Sequence, residues 1–215
     1  MTQRPPIHPD APELAELAAE GRVVAYFGYG SLVNPRTLRT RFLAIRRAAA
    51  FGWQRVWLPR SRDADMALLS VQPAEGQTIQ GVVVYDLIDN LPSVDQREAS
   101  YERRTIPPER IVIEDAPLAD VTVNIYEAEP DAEQADEAGC AILQSYLDAV
   151  MQGFRDLYGE EGLRAFVEHT QGFETRLLAD RKVPRYPRSV TLRDGEAELF
   201  DRLVFARGAM AFDPS

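Results

Sequence analysis

The chain has 215 residues and is 45% hydrophobic, enough for one sizeable core and small for two ordinary domains. Its formal net charge of −10 argues against nucleic acid or anionic lipid as the main partner, while leaving room for an anionic small molecule at a locally basic site. One cysteine, Cys140, excludes a disulfide framework within the chain and reads as a small core residue. Met1-Thr2-Gln3-Arg4-Pro5-Pro6 is followed by no apolar run, so no signal peptide is expected. No stretch approaches the ~20 apolar residues of a membrane span, and the expected location is the cytoplasm.

In chain order, residues 1–10 form a Pro-rich arm, and Ala11–Glu20 predicts a short helix stopped by Gly21. The apolar run Val23–Phe27 predicts a buried strand. A glycine loop, Gly28–Asn34, follows, and Pro35 suits the first turn of a helix through Phe42. Ile45–Trp57, Met66–Val71 and Ile79–Tyr85 carry strand composition between Pro, Gly and Asp/Asn punctuation. Asn90–Ala99 predicts a helix, and Tyr101–Ile106 and Ile111–Ile113 predict short strands. Val121, Val123 and Ile125 alternate as on a half-exposed strand over Val121–Tyr126. The acidic run Asp131–Glu137 reads as a solvated loop or helix start.

From Ala141 to Tyr158 the spacing turns helical, with Leu143, Leu147, Val150, Phe154 and Leu157 on one face and Gly159 as a stop. Leu163, Phe166 and Val167 predict a second helix, and Ser189–Leu192 and Leu203–Phe205 predict late strands. Strands first and helices late point to α+β rather than regular βαβ alternation.

Several chemistries fail on their residues. After Gly28-Tyr29-Gly30 a dinucleotide fingerprint needs a glycine where Val33 stands. No Lys-Ser/Thr pair follows the glycines to make a phosphate loop. With His8 in the arm, His169 on the second late helix and a single Cys, a zinc site is not expected. Ser31 lacks the surround of a nucleophile elbow.

Two features remain. The loop Phe27-Gly28-Tyr29-Gly30-Ser31-Leu32 joins a buried strand to a short helix, and its glycines let backbone N–H groups approach a carboxylate or developing oxyanion; a plain tight turn is the alternative. The segment Asp95-Gln96-Arg97-Glu98-Ala99-Ser100-Tyr101-Glu102-Arg103 places a carboxylate at a helix end before a Tyr- and Arg-bearing strand, either as a buried base or as a surface ion-pair cluster.

Together these segments resemble the γ-glutamylcyclotransferase-like family. The resemblance rests on Tyr29-Gly30-Ser31-Leu32 and on Val94-Asp95-Gln96-Arg97-Glu98-Ala99-Ser100-Tyr101. Phe51-Gly52-Trp53-Gln54-Arg55-Val56 looks like the family's Gly-aromatic-Arg strand, Gly81–Tyr85 like the Gly-Val strand before the acid, and Ser145-Tyr146-Leu147 with Gly153 like its late helix. The likeness covers roughly Tyr26–Gly153. Leu32 departs from the Asn of some branches, and Ala99 from the common Gly after the acid.

The resemblance implies a small mixed β-barrel flanked by helices, in a single domain with a core over about residues 22–170 and a C-terminal extension over 171–215. It implies that a γ-glutamyl amide is cut without metal or cofactor, its α-amine closing a 5-oxoproline ring. It gives Glu98 the proton shuttle, and it gives Tyr29, Gly30, Ser31, Leu32, Tyr146 and Tyr101 to the substrate. The substrate class is a γ-glutamyl amino acid, γ-glutamylamine or glutathione-like peptide. A binding module without turnover and a γ-glutamyl transferase are the other functions open on this fold. The basic segment Asp180–Arg188 is expected beside the site, carrying positive charge toward a second substrate carboxylate, or else to serve as a basic surface strap or an oligomer contact.

Overall fold

The computed structural model describes residues 7–38, 41–59, 65–98, 101–128 and 132–213. The expected helix near the N-terminus is α1, Leu14–Ala19, and the apolar run is strand β1, Val23–Gly28. The helix expected from Pro35 to Phe42 is only a 3-10 turn, Pro35–Thr37. Asn34 caps it by accepting from the Arg36 N–H, and Leu38 has already turned extended at ψ 117°; residues 39–40 lie outside the described ones.

Strands β2, Ala44–Pro59, and β3, Met66–Leu87, form a long antiparallel ribbon. The break expected between Val71 and Ile79 is absent, because Pro73 faces Trp53 just where β2 bulges at Gly52. A ladder already interrupted by a bulge tolerates a residue without an N–H. Helix α2, Leu91–Arg97, leads to β4, Glu102–Thr105, β5, Ile111–Ile113, and β6, Val123–Glu127. The segment 131–137 contributes no helix among its described residues, although Ala135 is buried.

Residues 141–143, read from the sequence as helix, form strand β7, Ala141–Leu143, parallel to β3. Helix α3, Gln144–Glu168, starts only after it and breaks at Gly159, whose φ of 72° no helix accommodates, so the two expected late helices meet there. Strands β8, Thr170–Gln171, and β9, Arg176–Leu178, helix α4, Glu196–Phe205, and strand β10, Ala211–Phe212, follow. The strand expected at Leu203–Phe205 is therefore the end of a helix, and Ser189–Leu192 has no regular structure. A three-residue apolar run fits either period. Here Leu199, Phe200 and Val204 face the core from one side of α4.

The result is an α+β fold built, among the described residues, on one mixed sheet of ten strands, ordered β10-β9-β7-β3-β1-β6-β4, with β2 on β3 and carrying β5 and β8. The pairings among the described residues branch and do not close the sheet into a ring. Alternate residues of β1 and β3 enter two different clusters: Tyr26, Val82 and Val84 pack toward α3, while Ala25, Phe27, Val83 and Tyr85 pack toward Leu14 and Ile106. A sheet covered on both faces explains why β1 reads as a continuous apolar run.

From Gln144 to Phe154 helix α3 is buried on every side, not on one face as expected. The C-terminal extension supplies the second cover. Asp148 takes both Nε and Nη2 of Arg181, at 2.7 and 2.8 Å, and Arg181 also reaches Asp201 on α4 at 2.8 Å. Glu196 accepts from Gln152 at 2.8 Å and from Arg155 at 3.2 Å, and pairs with Arg193. Among the described residues no helix is long and apolar enough to cross a membrane.

Candidate active site

Strand β1 delivers the chain to the glycine turn. A 3-10 turn over Ser31–Val33 uses the Gly30 carbonyl for the Val33 N–H (3.1 Å) and the Ser31 carbonyl for the Asn34 N–H (3.0 Å) and the Thr37 hydroxyl (2.7 Å). The N–H groups at the start of the turn are unspent: among the described residues those of Gly30, Ser31 and Leu32 have no acceptor. Gly30 is buried, and Ser31 and Leu32 are half-buried. The turn is clamped to α3, because Asn34 Nδ2 donates to the Ala149 carbonyl at 2.9 Å.

Two tyrosines stand on this turn. Tyr29 is buried and donates its hydroxyl to the Tyr126 carbonyl at 2.7 Å. Tyr146, from the first turn of α3, brings its Oη to 3.0 Å from where a Cβ on residue 30 would sit, so glycine is what lets the phenol and the turn meet. Burial raises the pKa of both phenols well above the ordinary tyrosine range. Tyr101 and Glu98 add to the rise at Tyr29, and Tyr186, Tyr101 and Glu98 add to it at Tyr146. Glu98 caps the C-terminal end of α2, donating its N–H to the Val94 carbonyl at 3.0 Å, and is half-buried. One carboxylate, Glu98, and four phenols, Tyr29, Tyr101, Tyr146 and Tyr186, thus share one electrostatic neighbourhood beside a turn with open amides. Among the described residues no cluster of His, Cys, Asp and Glu is placed to hold a metal ion.

No family model matches the sequence, and no curated protein matches it. Among solved structures, a γ-glutamyl cyclotransferase covers 84% of this chain and 99% of its own, with a TM-score of 0.51 at 13% identity. An uncharacterized protein from Homo sapiens gives a TM-score of 0.52 at 14% identity, over the same 84% and 99%. The chain has the γ-glutamyl cyclotransferase-like fold. At such identities the likeness speaks for the fold alone.

Within this γ-glutamyl cyclotransferase-like fold, Tyr29, Gly30, Tyr146, Tyr101 and Glu98 converge, whereas Ser31 and Leu32 contribute mainly backbone. The hydroxyl proton of Tyr29 is committed to Tyr126, which leaves that oxygen only as an acceptor. Sequence reasoning missed Tyr126, whose own hydroxyl donates to Asp95 at 2.5 Å. It also missed Tyr186, which packs edge-on against Tyr146 with ring centroids 5.0 Å apart.

Tyr186 is set there by Asp180, a buried carboxylate that accepts from the Ser145 N–H (2.8 Å), the Ser145 hydroxyl (2.6 Å) and the Arg185 N–H (2.9 Å). The basic segment therefore does run beside this cluster. The charge of Arg181, however, is spent on Asp148 and Asp201, and that of Arg185 lies 4.0 Å from Asp65. An aromatic between two prolines, Pro184-Arg185-Tyr186-Pro187, was the only sequence signal available.

Proposed function

We propose that this protein is a γ-glutamyl cyclotransferase, with Glu98 as its proton shuttle and the Gly30–Leu32 amides as the cradle for an anionic part of the substrate. One observation carries this reading. A half-buried carboxylate shares a neighbourhood with the Tyr29 and Tyr146 phenols, beside N–H groups that no acceptor among the described residues takes.

The chemistry needs little more. Glu98 takes a proton from the substrate α-ammonium, and the freed amine attacks the γ-carbonyl carbon. The carbonyl pair moves onto oxygen, where aligned amides stabilise the oxyanion. The oxyanion collapses, the bond to the leaving nitrogen breaks, and 5-oxoproline is released. Over the whole cycle two protons pass from the attacking to the leaving nitrogen, and one carboxylate can relay them in turn. Because ring closure is intramolecular, holding the glutamyl chain curled supplies much of the acceleration. Raised phenol pKa values suit Tyr146 to remain a neutral hydrogen-bond donor beside a carboxylate.

The test is a panel of γ-glutamyl amino acids, γ-glutamylamines and glutathione, assayed for 5-oxoproline and for released amine. Equal amounts of both support cyclisation. Acyl transfer to added amine with little 5-oxoproline points to a transferase, and binding without product points to a non-catalytic module.

A further inference from the structure

Arg55 on β2 is 2% exposed, yet none of the described carboxylates pairs with it. A buried, unpaired cation is costly, and an apolar side chain would fill a core position more cheaply. What surrounds the guanidinium is instead a set of neutral acceptors. Its Nε donates to the Tyr29 carbonyl at 3.1 Å, and its Nη2 donates to the Gln80 carbonyl. Its Cζ lies 4.8 Å from the Phe154 ring centroid and 5.5 Å from that of Phe166. Burial lowers its pKa to about 9, so it is still charged at neutral pH.

The grip on Tyr29 has a geometric consequence. The Tyr29 carbonyl and the Gly30 N–H belong to one planar trans peptide, so they point in opposite directions. Fixing the oxygen fixes the hydrogen. Tyr29 is anchored a second time through its hydroxyl on the Tyr126 carbonyl, so this peptide has little freedom to flip. The same cation, undiminished by a carboxylate, also makes the turn favourable for an anion.

We propose that Arg55 is the positioning residue of the glycine turn, holding the Tyr29–Gly30 peptide so that the Gly30, Ser31 and Leu32 amides face a carboxylate or oxyanion of the ligand. As a statement about catalysis this rests on the cyclotransferase reading; as a statement about anion binding it does not.

Arg55→Lys keeps a charge but loses the two-pronged grip, and Arg55→Met keeps only the stem. Two readouts separate positioning from mere packing. The first is titration of 15N-labelled protein with sodium acetate at fixed ionic strength, with chloride as control. In the wild type the Gly30, Ser31 and Leu32 amide resonances are expected to move, and in both variants that response is expected to be lost while α4 resonances stay in place. The second is kcat/KM on a γ-glutamyl dipeptide, expected to fall on the order of 100-fold in Arg55→Lys even where its thermal midpoint stays near the wild type.

A wild-type turn that ignores acetate, or an Arg55→Lys protein that keeps both the acetate response and the rate, overturns the assignment. If neither variant folds, the wild type alone decides. Its Arg55 Nε–H is expected to exchange slowly and to couple through the hydrogen bond to the Tyr29 carbonyl carbon, and rapid exchange without coupling refutes the grip. A wild type that binds acetate but turns over no γ-glutamyl substrate sinks the cyclotransferase reading and leaves the role of Arg55 standing.

Discussion

Replacing Gly153 with alanine pits helix propensity against packing. On propensity alone the change stabilises α3 by about 1 kcal/mol. The structure sets a larger opposing effect. A Cβ on residue 153 would lie 2.8 Å from Asn34 N, 2.9 Å from Asn34 Cβ and 2.9 Å from the Val33 carbonyl carbon. Ordinary contact begins near 3.4 Å, so the helix and the turn must part by roughly half an ångström. Two of the three atoms are main chain, so no side-chain rotation relieves the clash. Parting also stretches the Asn34 Nδ2 bond to the Ala149 carbonyl, now 2.9 Å. With main-chain atoms in the way, the upper part of the overpacking range applies, about 2–3 kcal/mol, so packing wins by about 1–2 kcal/mol. For a chain of this size the thermal midpoint should drop by roughly 2–8 °C. The shifted turn should also lower kcat/KM by about tenfold or more. Thermal melts and the 5-oxoproline assay measure both. A midpoint at or above the wild type with unchanged rate would refute the claim that α3 rests on the glycine turn.

Glu196 sets an acid limit on stability. Burial raises its pKa, but Arg193, with help from Gln152, outweighs that and brings it from 4.5 down to about 2. A folded value below the unfolded one means stability present above pH 4.5 and lost as pH falls toward 2, worth up to about 3 kcal/mol. Urea melts between pH 6 and pH 3 should therefore slope less in Glu196→Gln, and equal slopes would contradict the ion pairs. Asp180→Ala strands three donors and should cost roughly 2–3 kcal/mol, raising KM as Tyr186 leaves Tyr146, whereas Arg185→Ala should cost under about 0.5 kcal/mol. Comparable losses in the two would show that Asp180 is not the anchor. Burial, then Asp65 and Glu133, raises the Cys140 thiol pKa, so iodoacetamide should label it only after unfolding; fast native labelling would show the site to be open.

Local patterns made much of the fold legible. The run Val23–Phe27, the break at Gly159 and the apolar residues of α3 all follow from composition and period. What stayed hidden depends on contacts distant in sequence. Nothing in Gln144, Asp148 or Gln152 says that their side of α3 is buried until Arg181, Glu196 and Asp201 arrive from the extension. Ala141–Leu143 joins the sheet only because β3 and β9 flank it. The turn and its carboxylate carried a local signature, and Arg55 stood in a recognisable Gly-aromatic-Arg strand, but what it holds shows only when its guanidinium meets a carbonyl 26 positions earlier. Tyr186 likewise gains meaning only from its place against Tyr146.

The most direct test compares wild type and Glu98→Gln on one γ-glutamyl dipeptide, measuring 5-oxoproline formation and, separately, substrate binding by calorimetry. The amide preserves size and hydrogen bonding but cannot accept the substrate's proton. Turnover should fall by about 10²–10⁴-fold while Kd stays within a few-fold of the wild type. Turnover that survives in Glu98→Gln would remove the carboxylate from the mechanism and leave the fold without the proposed chemistry.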